Sequence, residues 1–195
     1  KRLIPKLQLG LRDGFRGVQS VLVVTKNFSS RRSIGTPLSQ AKIYEAQLVD
    51  ELILIDIVRN SDSWPILLQT LESLADELAT PLSVGGGVNS FPQVQQLLDR
   101  GADKVILNTA VLNEPRLIDQ VASSYGSQCI VLSLDVRAKL EGGWSMWTAS
   151  GSLESPLVLV DWAKEAIQRG AGEIMLTSID HDGTAQGLDL KLINE

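Results

Sequence analysis

The 195-residue sequence contains a single cysteine, no long apolar run and no long run of basic residues. Cys129 has no second cysteine with which to form an internal disulfide, and this cysteine usage fits a reducing compartment. No apolar run reaches the roughly 20 residues that span a bilayer, and residues 1–5 lack the apolar segment of a signal peptide. We therefore expect a cytoplasmic protein that is not inserted in a membrane.

The charge balance is also modest, with 18 basic and 23 acidic residues. No basic run is longer than Arg31-Arg32, so neither nucleic acid nor an anionic membrane surface is an expected partner. The length suffices for one sizeable core, and we expect residues 1–195 to form a single domain. We expect neither a cofactor nor a metal ion.

Short apolar runs alternate with amphipathic stretches along the whole sequence. The runs predict strands at residues 3–9, 51–57, 82–84, 104–107, 130–136 and 173–178. The stretches predict helices at residues 38–47, 66–78, 91–100, 116–125 and 157–169. Strands and helices that alternate at this spacing predict a parallel sheet covered on both faces.

Two of the strand-to-helix connections are long, at residues 10–36 and 137–155. Each is predicted to form a hairpin over the carboxyl edge of the sheet, where long loops usually carry function. The chain also repeats itself, because residues 3–9 resemble residues 130–136 and residues 51–55 resemble residues 173–177, at offsets a little over 120. The repeat puts Gln8 and Asp135 at equivalent positions.

This pattern predicts a (β/α)8 TIM barrel made of two similar halves. Six predicted strands do not close an eight-stranded barrel, so the barrel is expected to be truncated after about six βα units. Either two units are missing, or another chain covers the open edges.

Several ordered motifs resemble a known family over nearly the whole sequence. They are Lys1-Arg-Leu-Ile-Pro5, Asp50 to Asp56, Ser83-Val-Gly-Gly-Gly-Val88, Gly101 to Val105 with Asn108-Thr-Ala110, Thr148-Ala-Ser-Gly151 and Gly170 to Thr184. Together they resemble the cyclase subunit of imidazole glycerol phosphate synthase, from histidine biosynthesis. The resemblance implies a subunit that uses ammonia from a glutaminase partner on a phosphorylated small molecule.

Phosphate sites are implied by glycines and short polar side chains that follow strands. Bare backbone amides at Gly86 and Gly87 can approach an oxyanion closely. Together with Asn108 and Thr109 they resemble the family's site for one substrate phosphate, although the glycines also suit an ordinary tight turn. Gly183 resembles part of the second phosphate site. The matching motifs add three more substrate-binding candidates: Ser150, Gly151 and Thr177.

Proton transfer in the family uses two aspartates as general acid and base. Asp135 matches one of them, whereas Gln8 stands at the position of the other. A carboxamide forms hydrogen bonds but does not exchange protons near neutral pH. Gln8 is therefore either a true replacement, an ordinary polar core residue or the product of an alignment shift.

Two further residues complete the predicted catalytic group. Lys26 lies two residues after Val24, which occupies the place of a family lysine, and Lys26 either substitutes for that lysine or is an idle surface residue. Asp182 matches a family residue at the substrate. Asp56 and Asp180 are expected to brace loops, and His181 to be a solvated side chain.

The opposite ends of the strands carry charges of alternating sign. Arg2, Glu51, Lys104 and Glu173 stand at the starts of four predicted strands. They resemble the family's gate, through which ammonia enters from the glutaminase. Charged residues at strand starts also occur simply as solvated polar edges.

The resemblance leaves three functions open. The first is an ammonia-accepting synthase of this family, a class that includes the paralogue that amidates surface-polysaccharide sugars. The second is a histidine-pathway cyclase that tolerates Gln8. The third is a catalytically silent barrel that binds and activates a glutaminase.

Overall fold

A computed structural model describes residues 1–15 and 17–194 of the chain. Strands and helices alternate along the sequence, as predicted. The strands are β1 (Lys6–Gly14), β2 (Gly17–Lys26), β3 (Ser29–Gly35), β4 (Leu52–Asp56), β5 (Leu82–Gly85), β6 (Lys104–Leu107), β7 (Ile130–Ala138), β8 (Trp144–Thr148), β9 (Leu153–Glu154) and β10 (Glu173–Ser178). The helices are α1 (Pro37–Ala46), α2 (Ser63–Ala75), α3 (Phe91–Asp99), α4 (Thr109–Asn113), α5 (Arg116–Tyr125), α6 (Leu159–Arg169) and α7 (Leu190–Ile193).

The chain divides into two compact units. The first unit contains Lys1–Val24 and Arg32–Leu107. In it, β1 pairs with β4, β4 with β5 and β5 with β6, all in parallel, while β2 pairs antiparallel with β1. The strands β4, β5 and β6 are almost entirely buried, as expected of parallel strands whose two faces are covered.

The second unit contains Thr25–Arg31 and Asn108–Glu195. Here β10 pairs in parallel with β7, while β8 pairs antiparallel with β7 and β9 antiparallel with β8. The core of this unit contains five fully buried residues, which are Ile130, Leu132 and Val136 of β7 and Ile118 and Val121 of α5. Each unit thus combines a parallel strand pair with an antiparallel hairpin.

Helix α2 illustrates how the apolar pattern forms the core of the first unit. Leu67, Leu71 and Leu74 follow one another at intervals of four and three residues, which places them on one helix face. All three are buried. Burial of each leucine contributes about 2 kcal/mol, so this face fixes the helix in the core of its unit.

Both long loops form the hairpins predicted from their length. In the first, β1 continues to Gly14 and pairs with β2 from Gln8↔Val23 to Gly14↔Gly17. In the second, β7 continues to Ala138 and pairs with β8 from Asp135↔Trp147 to Ala138↔Trp144. Each strand therefore runs past the end of its parallel pairing and becomes one arm of the hairpin.

The predicted repeat is visible in the strand registers. Gln8 lies opposite Ile55 of β4 and Val23 of β2. Asp135 lies opposite Thr177 of β10 and Trp147 of β8. Gln8 and Asp135 thus occupy matching positions within the two units, as the sequence repeat predicted.

Several predicted boundaries were wrong, and local chemistry explains the main differences. The first strand begins at Lys6, not at residue 3, since Pro5 has no N–H to donate to a sheet ladder. Strand β4 ends at Asp56 because the Asp56 carboxylate accepts hydrogen bonds from the amides of Val58 and Arg59 and turns the chain. Helix α2 begins at Ser63, whose amide donates to the side chain of Asn60.

The result is an α/β fold with a sheet rich in parallel pairs. Among the helices in residues 1–15 and 17–194, none has the length and apolar character to cross a bilayer. A closed barrel, its truncation and a single domain over residues 1–195 stay predictions.

Candidate functional site

Asp135 lies on β7 at the residue where the hairpin begins. It is half-buried, and its Oδ2 accepts a hydrogen bond of 2.7 Å from Asn108 Nδ2. Asn108 immediately precedes α4, so a strand end and a helix start meet here within the second unit. A hydrogen bond to the carboxylate orients it, which is what a proton-transferring group requires.

Gln8 occupies the matching position on β1 in the first unit. It is half-buried in an otherwise buried part of the strand, between Leu7 and Leu9. The side chain is a carboxamide, so the first unit offers hydrogen bonding but no proton exchange at this position. The register of β1 with β4 and β2 places Gln8 as that of β7 with β10 and β8 places Asp135.

Asp182 follows β10 and contacts the end of β2. Its Oδ2 accepts a hydrogen bond of 2.9 Å from the Thr25 hydroxyl, and its carbonyl accepts one of 2.9 Å from the Asn27 amide. Lys26 is exposed at the last position of β2. The second unit therefore places Asp182 and Lys26, two of the four predicted catalytic residues, on neighbouring segments.

Gly183 is required by close packing at this junction. Its φ is +69°, and an added Cβ would overlap the Thr25 carbonyl. A side chain is excluded on steric grounds alone, so the glycine does not by itself indicate a phosphate site.

The triglycine turn after β5 shows the same effect at Gly86. Its φ is +103°, and an added Cβ would overlap the backbone of Asp56. Gly87 is different: it is exposed, with a φ of +75°, and an added Cβ would come no closer than 3.3 Å to Arg59. Packing excludes a side chain at Gly86, whereas at Gly87 an added Cβ would make a tight contact with Arg59 without overlapping it.

The remaining phosphate candidates lie in the second unit. Thr109 is the first residue of α4, and its hydroxyl accepts a 3.4 Å hydrogen bond from the Ala149 amide. Ser150 and Gly151 have φ of +57° and +74°, in a left-handed turn that starts at Ala149 with φ +50°. Left-handed non-glycine residues cost free energy, and this kind of strain is concentrated at functional sites. Thr177 is half-buried on β10, opposite Asp135.

The predicted gate residues lie partly together. Glu51 is 4% exposed and accepts from Lys104 Nζ at 2.7 Å and from Arg2 Nη1 at 3.1 Å. The Ser83 hydroxyl donates to its other oxygen. Glu173 begins β10 in the second unit. Within the first unit, a buried carboxylate thus joins the starts of the strands.

His181, predicted to be solvated, is partly exposed and also has neighbours that the sequence did not indicate. Its side chain is 34% exposed, its Nε2 lies 3.6 Å from Asp189 Oδ2, and its Nδ1 lies 3.4 Å from the Gly187 carbonyl. Asp189 also accepts from the Ser178 hydroxyl at 2.9 Å and from the Leu192 amide at 3.2 Å. Burial raises the pKa of Asp189, but these hydrogen bonds and the nearby His181 outweigh it and lower the pKa below its ordinary value.

Asp56 and Asp180 brace loops, as predicted. Asp56 is buried and accepts from two backbone amides and from the Ser63 hydroxyl. Asp180 accepts from the Ala138 amide at 3.0 Å, which ties the loop after β10 to the end of β7. Neither carboxylate is arranged for proton transfer.

Sequence reasoning missed Arg137 and Trp147, which lie beside Asp135. Trp147 is its cross-strand partner, and Arg137 is two residues further along β7. The alternation of a strand was the available signal, since residues two apart share a face. In residues 1–15 and 17–194, no three His, Cys, Asp or Glu side chains are grouped as metal ligands would be.

The fold and the positions of the site residues define a class of protein. The sheet is rich in parallel pairs, strands alternate with helices, and several predicted substrate-binding residues, such as Asn108 and Asp182, follow strands, as in α/β enzymes that bind ligands at the carboxyl edge. Comparison with known proteins then identifies the family. Residues 10–195 match the model of the histidine biosynthesis protein family.

Three relatives have similar sequences along nearly the whole chain. A Prochlorococcus marinus (strain MIT 9313) protein named "Putative imidazole glycerol phosphate synthase subunit hisF2" is 57% identical over 195 residues, covering 100% of this chain and 75% of that protein. The imidazole glycerol phosphate synthase subunit HisF of Caulobacter vibrioides (strain NA1000 / CB15N) is 41% identical over 193 residues, with coverages of 98% and 71%. HisF of Lactococcus lactis subsp. lactis (strain IL1403) is 39% identical over 196 residues, with coverages of 100% and 73%.

The chain therefore belongs to the histidine biosynthesis protein family, as a relative of the HisF subunits of imidazole glycerol phosphate synthase. The resemblance predicted from the motifs is confirmed.

Proposed function

We propose that this protein is an ammonia-accepting synthase subunit of the cyclase type, which acts on a phosphorylated, sugar-containing substrate. A glutaminase partner supplies the ammonia in this proposal. Family membership supports it, and so does the observation that carries it: Asp135, at the family's proton-transfer position, is half-buried and oriented by the 2.7 Å hydrogen bond from Asn108.

The proposed roles follow from the chemistry of each side chain. Asp135 exchanges a proton with the substrate, Asp182 and Lys26 contact it, and Gln8 contributes a hydrogen bond only. Gly86, Gly87, Asn108 and Thr109 bind one phosphate, and Gly183 contributes to binding the second. Ser150, Gly151 and Thr177 provide further substrate contacts.

The proposed ammonia gate consists of Arg2, Glu51, Lys104 and Glu173. The ion pairs of Glu51 with Arg2 and Lys104 support this role, because a charged network can open or close by exchanging partners. The proposal also includes the (β/α)8 barrel and a single domain. One cooperative unfolding transition, identical by fluorescence and circular dichroism, is the expected result for a single domain, and two separate transitions would contradict it.

Ammonia-dependent turnover tests the function directly. With saturating ammonium salts, we expect the protein to consume a phosphorylated or nucleotide-linked sugar. If no such candidate is consumed, an ammonia-accepting synthase is excluded. Growth of a histidine-requiring strain lacking its own cyclase would identify imidazole glycerol phosphate formation as the reaction.

Gln8→Asp is the sharpest variant for this test. If the strand repeat has simply lost one member of an acid/base pair, restoring the carboxylate should raise cyclase activity by at least tenfold. Gln8→Glu is the matched control, because it adds the same charge on a longer side chain. Unchanged activity in Gln8→Asp would indicate a substrate that needs only one proton-transferring carboxylate.

A second function is favoured by Gln8 itself. With no ionisable group at this position, the protein could bind and activate a glutaminase without carrying out chemistry of its own. In that case it would stimulate glutamine hydrolysis by the partner while leaving candidate substrates unchanged. Failure to associate with a glutaminase would rule this function out.

A further inference from the structure

Arg137 is a cation without a carboxylate partner in the part of the chain that the structure describes. Its Nη2 donates to the Gly151 carbonyl at 3.3 Å, and its guanidinium carbon lies 4.6 Å from the centre of the Trp147 ring. Its Nε is buried and has no hydrogen-bond acceptor. Among the described residues, this permanent charge thus interacts with one neutral acceptor and one aromatic face.

Such an environment favours the arrival of an anion. A partly desolvated guanidinium has lost water hydrogen bonds, and a carbonyl with a cation–π contact replaces them only in part. An arriving phosphate or carboxylate would supply the missing opposite charge and accept from the planar fork of donors. The remaining charge of Arg137 is therefore available to a ligand.

The strand register places this cation beside the proposed proton-transfer group. Asp135 and Arg137 are two residues apart on β7, so they share a face about 7 Å apart along the strand. Trp147 lies directly opposite Asp135 on β8, and its indole N–H donates to the Ser145 hydroxyl at 2.9 Å, which holds the ring in place. Carboxylate, ring and guanidinium thus form one continuous surface in the second unit.

We propose that Arg137, held on the Trp147 ring, binds the phosphate of a phosphate monoester whose reacting part contacts Asp135. This inference rests on the proposed function, which requires a phosphorylated substrate at Asp135. It adds a specificity residue on the hairpin after β7. Arg137 acts here by contact with the substrate's charge.

A purely structural role predicts a different response. If Arg137 only braces the left-handed turn at residues 149–151, its removal would lower stability but leave the affinity for phosphate unchanged. The two roles are separated by measuring binding with charged and uncharged probes on folded variants.

The binding experiment uses the indole N–H signals of the four tryptophans, observed by nuclear magnetic resonance. Trp147→Phe assigns the Trp147 signal. Ribose 5-phosphate is the probe, inorganic phosphate a smaller probe, and ribose the uncharged control. We expect the Trp147 signal to shift in a saturable manner with both phosphates, and not with ribose.

Three arginine variants then test the contact. Arg137→Gln should weaken ribose 5-phosphate binding at least tenfold, and Arg137→Lys about threefold, since lysine keeps the charge but loses the planar fork. Arg169→Gln is the matched control. Arg169 is bound to Asp119 and Glu165 on the helical side of the same unit, so its loss should leave the affinity unchanged. If the glutamine variant does not fold, the affinity of Arg137→Lys for ribose 5-phosphate still tests the contact.

The proposal is overturned if the wild-type Trp147 signal does not respond to ribose 5-phosphate, or if both Arg137 variants bind it within twofold of wild type. Turnover separates this inference from the proposed function. An unchanged KM in Arg137→Gln with normal turnover rejects only the role of Arg137. Arg137-dependent binding without any turnover supports the site and rejects only the synthase.

Discussion

A single side chain separates the two halves of the repeat chemically. Gln8 and Asp135 hold matching registers, each between one parallel and one antiparallel neighbour. The scaffold is therefore equivalent at the two positions, while only one side chain can exchange protons near neutral pH. At this scale, the two matching positions differ in an ionisable side chain and not in their strand pairing.

Gly86 gives a prediction about sterics in the triglycine turn. Because an added Cβ would overlap the backbone of Asp56, Gly86→Ala should lower the free energy of unfolding by roughly 4 kcal/mol or prevent folding. Gly87→Ala is the control, with a smaller expected cost of about 1–2 kcal/mol from its positive φ and the tight contact with Arg59. Urea unfolding measures both, and equal costs would contradict the prediction.

The elements that carry the candidate site are strands that extend beyond their parallel partners. β7 pairs with β10 only as far as Val136 and continues as an arm of the hairpin with β8. β1 continues in the same way with β2. Extension beyond the parallel pairing leaves Arg137 half-buried on the hairpin, while the buried part of the strand holds it in place.

At the start of β4, the Glu51 network predicts a large stability effect. Its side chain is 5% exposed, that of Lys104 15% and that of Arg2 50%. Glu51→Gln removes the carboxylate from a buried ion pair, so the free energy of unfolding should fall by roughly 3 kcal/mol. Arg2→Ala, at the exposed end of the network, should cost less than about 1 kcal/mol. If both variants lowered the free energy of unfolding equally in urea, burial would not determine how much each ion-pair partner contributes to stability.

The lowered pKa of Asp189 predicts that the junction between β10 and α7 loses stability in acid. Its pKa is lowered in the folded protein, so its contribution to stability is fully present above the ordinary value of 3.8 and is lost as the pH falls through the lowered pKa. The Leu192 amide, which donates to Asp189, should report this step as a chemical-shift change with a midpoint below pH 3.8. Asp189→Asn should abolish the step. A midpoint at or above the ordinary value would contradict the predicted sign.

On the scale of the whole molecule, the chain combines two units of like design with an acidic charge balance. The formal net charge at pH 7 is −5 and the isoelectric point about 5.0. Long-range electrostatics therefore repel polyanions, and any phosphate binding must come from local groups such as backbone amides and Arg137. Negative charge and phosphate recognition are compatible because the first acts over the surface and the second at contact distance.

This balance predicts chromatographic behaviour. At pH 7 and low salt, the protein should pass through a heparin column and be retained on an anion exchanger. Lowering the pH below the isoelectric point should reverse the retention. Retention on heparin at pH 7 would instead indicate a concentrated basic patch.

The sequence by itself determined the alternation of strands and helices, both hairpins, the repeat and the family. These depend on local patterns: apolar runs, amphipathic periods, loop length and ordered motifs such as residues 83–88 and 173–184. Boundaries were less predictable, since Pro5 delays a strand by lacking an N–H and the carboxylate of Asp56 ends one through hydrogen bonds that periodicity does not contain. The structure supplied those bonds.

Only the tertiary structure decided which side chains meet. Trp147 and Asn108 lie on other elements than Asp135, yet the register of β7 with β8 and the start of α4 bring them to it. Arg137 is near Asp135 along the same strand, but its stacking on Trp147 also depends on the pairing of β7 with β8. In the same way, His181 has a partner only because α7 places Asp189 beside it. Pairing across strands is non-local, so no pattern within one segment reveals it.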